Sequence, residues 1–207
     1  MTKLKVLELF AGSRSIGKVA EKLGMEVYSC DLMPFDGIDC VGDIRDLDYS
    51  KIPFTPDIIW ASPPCTAFSV ASIGRNWEKI DDRLYPKSEN AKLGISLLQK
   101  TIEVINHYKP KFWFIENPRG AMRKMKDVED FKRHTVTYCQ YGDTRMKPTD
   151  IWTNSDLWIP KPHCKNGDPC HESAPRGSRT GTQGLKNPYE RSKLPENFCE
   201  EVLQSCI

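Results

Sequence analysis

Two short apolar segments of this chain each end beside proline at a side chain that can do chemistry. The run Ile58–Ala61 is followed by Ser-Pro-Pro and Cys65, and the run Phe112–Ile115 is followed by Glu116, Asn and Pro. These apolar residues favour buried strands, and proline cannot donate to a sheet ladder, so both strands should end there. In open α/β sheets, ligands bind just beyond the carboxyl ends of the strands.

A cysteine and a carboxyl group held over one ligand are suited to covalent catalysis. A thiolate is a strong nucleophile when its surroundings lower its pKa, and a protonated carboxyl group can activate a ring nitrogen of the electrophile. We therefore predict that Cys65 and Glu116 belong to one site.

The start of the chain has the pattern of strand, glycine turn and helix. Lys5–Phe10 is a predicted strand, Gly12 lies in the turn, and Ile16–Leu23 has apolar residues at helical spacing. In nucleotide-type βαβ units, the helix N-terminus and bare backbone amides of such a turn approach the ligand. The pattern is common among α/β proteins, and it predicts a Rossmann-like domain with a mostly parallel sheet.

Two aspartates follow the next predicted strands. Asp31 ends the strand Glu26–Cys30, about twenty residues after the glycine turn, where an acidic side chain can accept hydrogen bonds from ribose hydroxyls. Asp43 lies at the end of a third short strand, where it could bond an adenine amino group. A turn or helix-cap aspartate is the alternative for both residues.

The polar stretch Gly74–Glu89 predicts a mobile loop directly after the Cys65 segment. Such a loop could close over a substrate, with Arg75 and Arg83 touching phosphate, or it could be a surface excursion.

The remaining elements are a long helix, further strands and a C-terminal helix. Ser88–His107 is predicted as an amphipathic helix capped by Ser88, His134–Cys139 as a half-buried strand and Arg145–Thr149 as a basic extended segment. We divide the chain into a catalytic domain (1–159), a Pro/Gly/Cys/His-containing loop (160–194) and a C-terminal helix that packs back on the catalytic domain (195–207).

The composition is that of an ordinary globular protein. The 207 residues are 39% hydrophobic and 28% charged, and no apolar run approaches the roughly 20 residues of a membrane-spanning helix. We expect a cytoplasmic protein whose eight cysteines are thiols, a nucleophile or metal ligands rather than disulfides. Basic residues outnumber acidic ones between positions 109 and 147, which could face phosphates, although a solvated helix surface explains this bias almost as well.

A second group of chemically active residues follows the predicted catalytic domain. His163, Cys164, Cys170 and His171 are four candidate zinc ligands in a loop too small to bury a core. Their spacing differs from the usual Cys-x2–4-Cys, and neighbouring ligands strain a tetrahedral site, so zinc binding stays open. The other cysteines are expected to be small buried or surface residues: Cys30, Cys40, Cys139, Cys199 and Cys206.

In their order along the chain, these motifs resemble those of the DNA cytosine-5 methyltransferases. The segments that carry the resemblance are LELFAGSRSIG, Tyr28–Asp31, Gly42–Ile44, SPPCTAFS, FIENPRG and the basic residues after Gly142. The resemblance implies a Rossmann-like domain that binds S-adenosylmethionine and acts on DNA. It places at the cofactor Phe10, Gly12, Ser13, Asp31, Leu32, Asp43, Ile44 and Pro63.

The resemblance also implies a reaction on a cytosine flipped out of the duplex. Cys65 would attack carbon 6, Glu116 would protonate ring nitrogen 3, and carbon 5 would take the methyl group before it loses its proton. Arg145, Lys147 and Thr149 fall where the family places a Gln-x-Arg-x-Arg segment beside the target base and its phosphate. The implied catalytic residues are Cys65, Glu116, Arg145 and Lys147.

The chain departs from the family pattern in two places. Arg14 and Ser15 stand where the family usually has further glycines, and little sequence follows Thr153, where the family normally inserts a target-recognition domain. Base recognition could come from a short loop, from a separate specificity protein, or be weak. Candidate loop residues are Arg176, Arg179 and Gln183.

Three alternatives keep the fold and change the function. The first is an RNA or nucleotide cytosine methyltransferase, and the second is a cofactor-binding subunit that needs a partner for target recognition. The third is an amino-group methyltransferase, which is disfavoured because that class needs an aromatic residue where Cys65 stands.

Overall fold

The computed structural model describes residues 3–174 and 185–207. The strands are β1 (Lys5–Leu9), β2 (Glu26–Asp31), β3 (Cys40–Val41), β4 (Ile58–Ala61), β5 (Trp77–Ile80), β6 (Arg83–Pro86), β7 (Phe112–Pro118), β8 (Arg133–Thr137) and β9 (Pro148–Thr153). The helices are α1 (Ser15–Lys22), α2 (Ile73–Asn76), α3 (Glu89–Tyr108), α4 (Pro188–Ser192) and α5 (Glu196–Gln204).

Seven of these strands form one sheet in the order β3-β2-β1-β4-β7-β9-β8. From β3 to β7 all neighbouring strands are parallel, whereas β9 pairs antiparallel with both β7 and β8. The prediction of a Rossmann-like α/β domain with a mostly parallel sheet is confirmed.

Helices cover both faces of the sheet. The side chains of its central strands alternate between the two faces, so each face has its own apolar core. On β4, Ile58 and Trp60 belong to the core that includes residues of α1 and α5, and Ile59 and Ala61 belong to the core that includes residues of α3. Strands buried on both faces read as continuous apolar runs, which explains the sequence of β4.

Strand β7 runs further than the sequence predicts. Its parallel pairing with β4 ends at Ile115 opposite Ala61, but its antiparallel pairing with β9 continues through Glu116 to Pro118. Glu116 therefore lies one residue beyond the last β4 pair, at the carboxyl edge of the parallel sheet, while its backbone is still held in a strand.

The prediction of a mobile loop over Gly74–Glu89 is wrong. This stretch contains most of α2 and the antiparallel hairpin of β5 and β6. Trp77 anchors this hairpin. Its side chain is only 3% exposed, its indole N–H donates to the Ala67 carbonyl at 2.7 Å, and its ring stacks on Phe68. The adjacent Asn76 is also buried, and its side-chain amide donates to the Thr66 and Ala67 carbonyls at 3.2 Å. These contacts order a segment whose other residues are mostly polar.

The two helices predicted with most detail are confirmed. The Ser88 hydroxyl accepts a hydrogen bond from the Ala91 amide at 3.1 Å and caps α3. Helix α5 buries Phe198, Val202 and Leu203 against the domain. No helix in the described ranges is both long and apolar enough to cross a membrane.

A buried polar network fixes the turn between β1 and α1. Glu8 is 2% exposed, and its carboxylate accepts hydrogen bonds from the Ser29 hydroxyl at 2.9 Å and from the Ile16 amide at 3.2 Å. Arg14 has a φ of 56°, in the left-handed region that favours glycine, and its guanidinium binds Ser29 and Glu21. Where the family usually has glycine, this chain therefore folds an arginine side chain back into the network.

Replacement of Glu8 by Gln tests whether this carboxyl group makes stability depend on pH. Burial raises the pKa of Glu8 to about 7, whereas a glutamate in an unfolded chain titrates near pH 4.3. Because the folded state holds this proton more tightly, the contribution of Glu8 to stability falls as pH rises from about 4.5 to about 7.

We expect the unfolding free energy of the wild type, relative to Glu8→Gln, to fall by about 2 to 3 kcal/mol between pH 5 and pH 8. Urea unfolding of both proteins at the two pH values measures this difference, and groups common to both proteins cancel. A difference independent of pH would contradict the prediction.

Candidate functional site

The loop that carries Cys65 is held in place on both sides. The Phe68 and Ser69 amides donate to the Cys65 carbonyl at 3.0 and 2.9 Å, so the chain turns tightly just after the cysteine. The Ala121 amide donates to the Phe68 carbonyl at 2.7 Å, and a Cβ at Gly120 would lie only 2.2 Å from that oxygen. Glycine at this position therefore allows the segment after β7 to support the Cys65 loop.

The Glu116 carboxyl group lies in a polar pocket next to that loop. Glu116 is 5% exposed, the Tyr138 hydroxyl donates to its Oε1 at 3.0 Å, and the Ser62 hydroxyl is a second hydrogen-bond partner. The Asn117 side-chain amide donates to the Pro63 carbonyl at 2.8 Å. Neighbouring residues of β7 thus bind the Cys65 loop and present the carboxyl group beside it.

Burial and charge set the protonation of these groups. Burial raises the pKa of Glu116, although the Lys147 ammonium and the hydrogen bonds from Tyr138 and Ser62 act against this shift. Burial also raises the pKa of Cys65, the Glu116 carboxylate raises it further, and the positive charges of Lys147 and Arg191 lower it. The pKa of Lys147 is lowered by burial, and the Glu116 carboxylate opposes that effect.

Cys65 and Glu116 line the same cavity, which has a volume of about 320 Å³. A second cavity of about 510 Å³ adjoins it, since five lining residues are common to both: Phe10, Asp31, Leu32, Pro64 and Thr66. Together they form one cleft along the carboxyl edge of β1, β2 and β4.

All eight residues that the sequence assigns to a cofactor line this cleft. Phe10, Asp31 and Leu32 line both cavities. The larger cavity also has Asp43 and Ile44, and the smaller one has Gly12, Ser13 and Pro63.

The two aspartates already make hydrogen bonds within the chain. Asp31 accepts from the Gly12 amide at 2.8 Å and from the Met33 amide at 2.9 Å, which holds its carboxylate across the glycine turn. Asp43 accepts from the Arg45 amide and pairs with the Arg45 side chain, which lowers the pKa of Asp43. A carboxylate has about four acceptor positions, so Asp31 retains capacity for a ligand, whereas Arg45 contacts both oxygens of Asp43.

Arg145 and Lys147 hold the segment around Arg191. The Arg145 guanidinium pairs with Asp143 and donates to the Arg191 carbonyl at 3.2 Å. The Lys147 ammonium donates to the same carbonyl at 3.0 Å and lies 4.7 Å from the centre of the Tyr138 ring. The structure thus brings Lys147 to Glu116, whereas Arg145 is 5% exposed and turned toward Asp143.

Several residues of the site are absent from the prediction. Ser192 and Leu194 line the Cys65 cavity, and the Leu194 amide donates to the Ser15 hydroxyl at 3.2 Å. Ser192 is the last residue of α4 and Leu194 follows it. The start of α4 has a recognisable signature, because Asn187 caps the helix and Pro188 is its first residue. Tyr138 has no comparable signal, because only the packing reveals its bond to Glu116.

The structure brings together three of the four candidate zinc ligands and adds a fourth residue that was not a candidate. Cys164, Cys170 and His171 lie together with Cys139, which was predicted to be only a small buried or surface residue. His163 is exposed and lies outside this group of described residues. The candidate base-reading residues Arg176, Arg179 and Gln183 fall outside the described ranges.

A curated relative matches nearly the whole chain. A protein of Frog virus 3 (isolate Goorha), named "Probable DNA (cytosine-5)-methyltransferase", is 29% identical over 222 residues, which cover 98% of this chain and 100% of the relative.

Among solved structures, the methyltransferase EhMeth of Entamoeba histolytica is similar in fold, with a TM-score of 0.52 and 12% identity over 77% of this chain. The chain spans 55% of the length of that protein. DNMT2 of Spodoptera frugiperda has a TM-score of 0.48 and 16% identity, covering 81% of this chain and 57% of that one.

The family model of C-5 cytosine-specific DNA methylases matches residues 35–140, which is more than half of the chain and includes both Cys65 and Glu116. This chain belongs to the family of C-5 cytosine-specific DNA methylases.

Proposed function

We propose that this protein transfers a methyl group from S-adenosylmethionine to carbon 5 of a flipped cytosine in DNA, through a covalent adduct with Cys65. The observation that carries the proposal is the cavity lined by Cys65, Glu116 and the glycine turn, which adjoins a larger cavity lined by Asp43 and Ile44. Because the chain belongs to the C-5 cytosine-specific DNA methylases, we take cytosine as the base and its carbon 5 as the atom that receives the methyl group.

The larger cavity suits the methyl donor in size and chemistry. Its volume of about 510 Å³ lies in the range of about 300 to 1,000 Å³ that is typical of small-molecule sites. Phe10 and Ile44 offer apolar surface, and the Asp31 carboxylate can accept hydrogen bonds from hydroxyl groups. Asp43 would accept from an amino group in exchange for a hydrogen bond from the exposed Arg45 side chain. When bound, S-adenosylmethionine supplies an electrophilic methyl group.

Cys65 and Glu116 would act together on the target ring. The Cys65 thiolate adds to carbon 6 while Glu116 gives its proton to ring nitrogen 3, which leaves carbon 5 electron-rich and able to take the methyl group. Loss of the proton from carbon 5 to solvent would then expel the thiolate, and ring nitrogen 3 would return its proton to the Glu116 carboxylate, which restores the ring and the acid. The raised pKa of Glu116 favours this role, because a carboxyl group must still be protonated near neutral pH to act as the acid.

Lys147 and Arg191 would favour the thiolate form of Cys65. Their positive charges lower the pKa of a thiol that burial and the Glu116 carboxylate otherwise raise. Lys147 and Arg145 also hold the backbone at Arg191, so the basic segment would fix the chain that borders the cavity.

DNA would reach the cleft with its target base rotated out of the stack, because a cytosine inside a duplex hides the atoms under attack. Arg191 is half-buried and close enough to influence Cys65, which makes it our candidate for the phosphate beside that base. A separate specificity protein remains part of the proposal for target choice.

The reaction is tested by transfer of labelled methyl groups from S-adenosylmethionine to duplex DNA. We expect transfer by the wild type, none by Cys65→Ser, and a reduction of about 10²- to 10⁴-fold by Glu116→Gln, which keeps the size of the side chain but loses the acid. Cys206→Ser is the control, because a serine hydroxyl can also donate to the Val202 carbonyl that the Cys206 thiol contacts.

The same assay on RNA and on free cytidine nucleotides separates the alternatives. Transfer to either of them but not to DNA would replace our substrate class. A protein that binds S-adenosylmethionine in calorimetry but methylates only after a second protein is added would be the cofactor-binding subunit. Equal rates for Cys65→Ser and the wild type would contradict the covalent mechanism.

Lys147→Met tests the electrostatic role of the ammonium group. The positive charge of Lys147 lowers the pKa of Cys65, so loss of this charge should raise that pKa and lower the thiolate fraction near pH 7. The alkaline rise of the rate-against-pH profile should therefore move to higher pH.

Lys161→Met is the matched control, because the Lys161 ammonium lies 4.8 Å from the centre of another tyrosine ring, that of Tyr141. We expect this variant to keep the wild-type profile. Identical pH profiles for Lys147→Met and the wild type would rule out the charge effect, even if the overall rate changed.

A further inference from the structure

Three thiols and one imidazole converge behind the catalytic carboxyl group. The ligand atoms of Cys139, Cys164, Cys170 and His171 all lie within 4.8 Å of one another. Cys139 belongs to the turn Tyr138–Tyr141 after β8, and the other three come from the segment that follows β9. The cluster therefore joins residues far apart in the sequence.

The distances within the cluster are close to those of a tetrahedral zinc site. With Zn–S bonds of about 2.3 Å and a Zn–N bond of about 2.0 Å, neighbouring ligand atoms lie about 3.8 Å (S to S) or about 3.6 Å (S to N) apart. The Cys170 sulfur is 3.6 Å from the Cys139 sulfur and 3.6 Å from His171 Nδ1, and the Cys164 sulfur is 3.7 Å from His171 Nδ1. The sulfurs of Cys139 and Cys164 are closer, at 3.1 Å.

The adjacent residues Cys170 and His171 both reach the centre of the group, so their proximity in sequence does not prevent joint ligation. Cys139 and Cys164 are buried, Cys170 is exposed and His171 is half-buried, which leaves an entry path for an ion.

Polar groups around the cluster orient its ligands. The Cys164 amide donates to the Thr137 hydroxyl at 3.0 Å, and the Gln140 side-chain amide approaches the Cys170 sulfur at 3.5 Å. The first hydrogen bond fixes the backbone of a ligand residue, and the second places a donor beside a ligand sulfur, where it would stabilise a thiolate. The ligand segment itself forms a tight turn, in which the Lys165 amide binds the Asp168 carboxylate at 2.6 Å.

We propose that Cys139, Cys164, Cys170 and His171 form a structural site for one zinc ion. Three thiolates and one imidazole are a standard ligand set for structural zinc, and four protein ligands leave no open position for chemistry. Residues 160–174 contain neither helix nor strand, and a metal would provide the stability that such a short segment lacks.

The zinc ion would tie this segment to the residue next to Tyr138, whose hydroxyl binds Glu116. It would therefore fix the polypeptide that follows the catalytic sheet without entering the reaction. The proposal does not depend on the methylation reaction, because metal content is measured without turnover.

The test is the metal content of the full-length protein, purified under reducing conditions from zinc-supplemented cells and measured by inductively coupled plasma mass spectrometry after gel filtration. We expect one zinc ion per wild-type chain, and a large loss of zinc in Cys164→Ser and His171→Ala. His171→Ala is included because it alters a half-buried position, whereas Cys164 is buried and its replacement is more disruptive. Circular dichroism establishes that each variant is folded.

Two control variants separate this cluster from other cysteines and histidines. His163→Ala removes the exposed neighbour in the same segment, and Cys206→Ser removes a buried thiol just after α5; both should retain zinc. Cobalt substitution should give the visible bands of tetrahedral Co²⁺ with thiolate charge transfer in the wild type and in both controls.

Three results would overturn the proposal: wild-type protein without bound zinc, zinc retained by folded His171→Ala, or zinc lost from His163→Ala. A disulfide between Cys139 and Cys164, seen as a loss of two hydrogens in mass spectrometry of the protein prepared without reductant and alkylated, would also overturn it if no metal is bound.

Discussion

The burial of the Glu116 carboxyl group is the constraint on which the rest of the site depends. A carboxylate removed from water is costly unless it is neutralised or hydrogen-bonded, and here Tyr138, Ser62 and Lys147 provide that compensation. The same partners tune Cys65, since Lys147 lowers the pKa of the thiol that Glu116 raises. Lys147 and Glu116 therefore each influence the pKa of the other, and both influence the pKa of Cys65.

The sheet topology brings these groups together. Strand β9 pairs antiparallel with β7 and extends it past the end of β4, so Glu116 projects from a rigid strand beside the loop that follows β4. Strand β9 begins at Pro148 and runs antiparallel to β7, so its start lies beside the end of β7. The residue just before it, Lys147, is therefore placed at the site. A site on strand ends is positioned more precisely than one on loops alone.

Much of this arrangement follows from local sequence signals. Apolar runs stopped by proline predict where Cys65 and Glu116 lie, and a glycine turn followed by an acidic residue predicts the cleft around Asp31. The rest depends on contacts distant in sequence. Trp77 of the hairpin after α2 stacks on Phe68, and Cys139 meets Cys164, Cys170 and His171 through tertiary packing. Neither contact can be read from periodicity or spacing in the sequence.

The stretch from Tyr138 to Lys147 connects three parts of the molecule. Its first residue binds Glu116, Cys139 joins the thiol cluster with the segment after β9, and Arg145 and Lys147 hold the backbone at Arg191. Residues 160–174 and 185–194 are thus fastened to the same ten-residue stretch whose first residue binds the Glu116 carboxyl group. Both described segments are therefore linked to that buried carboxyl group through contacts of one short stretch.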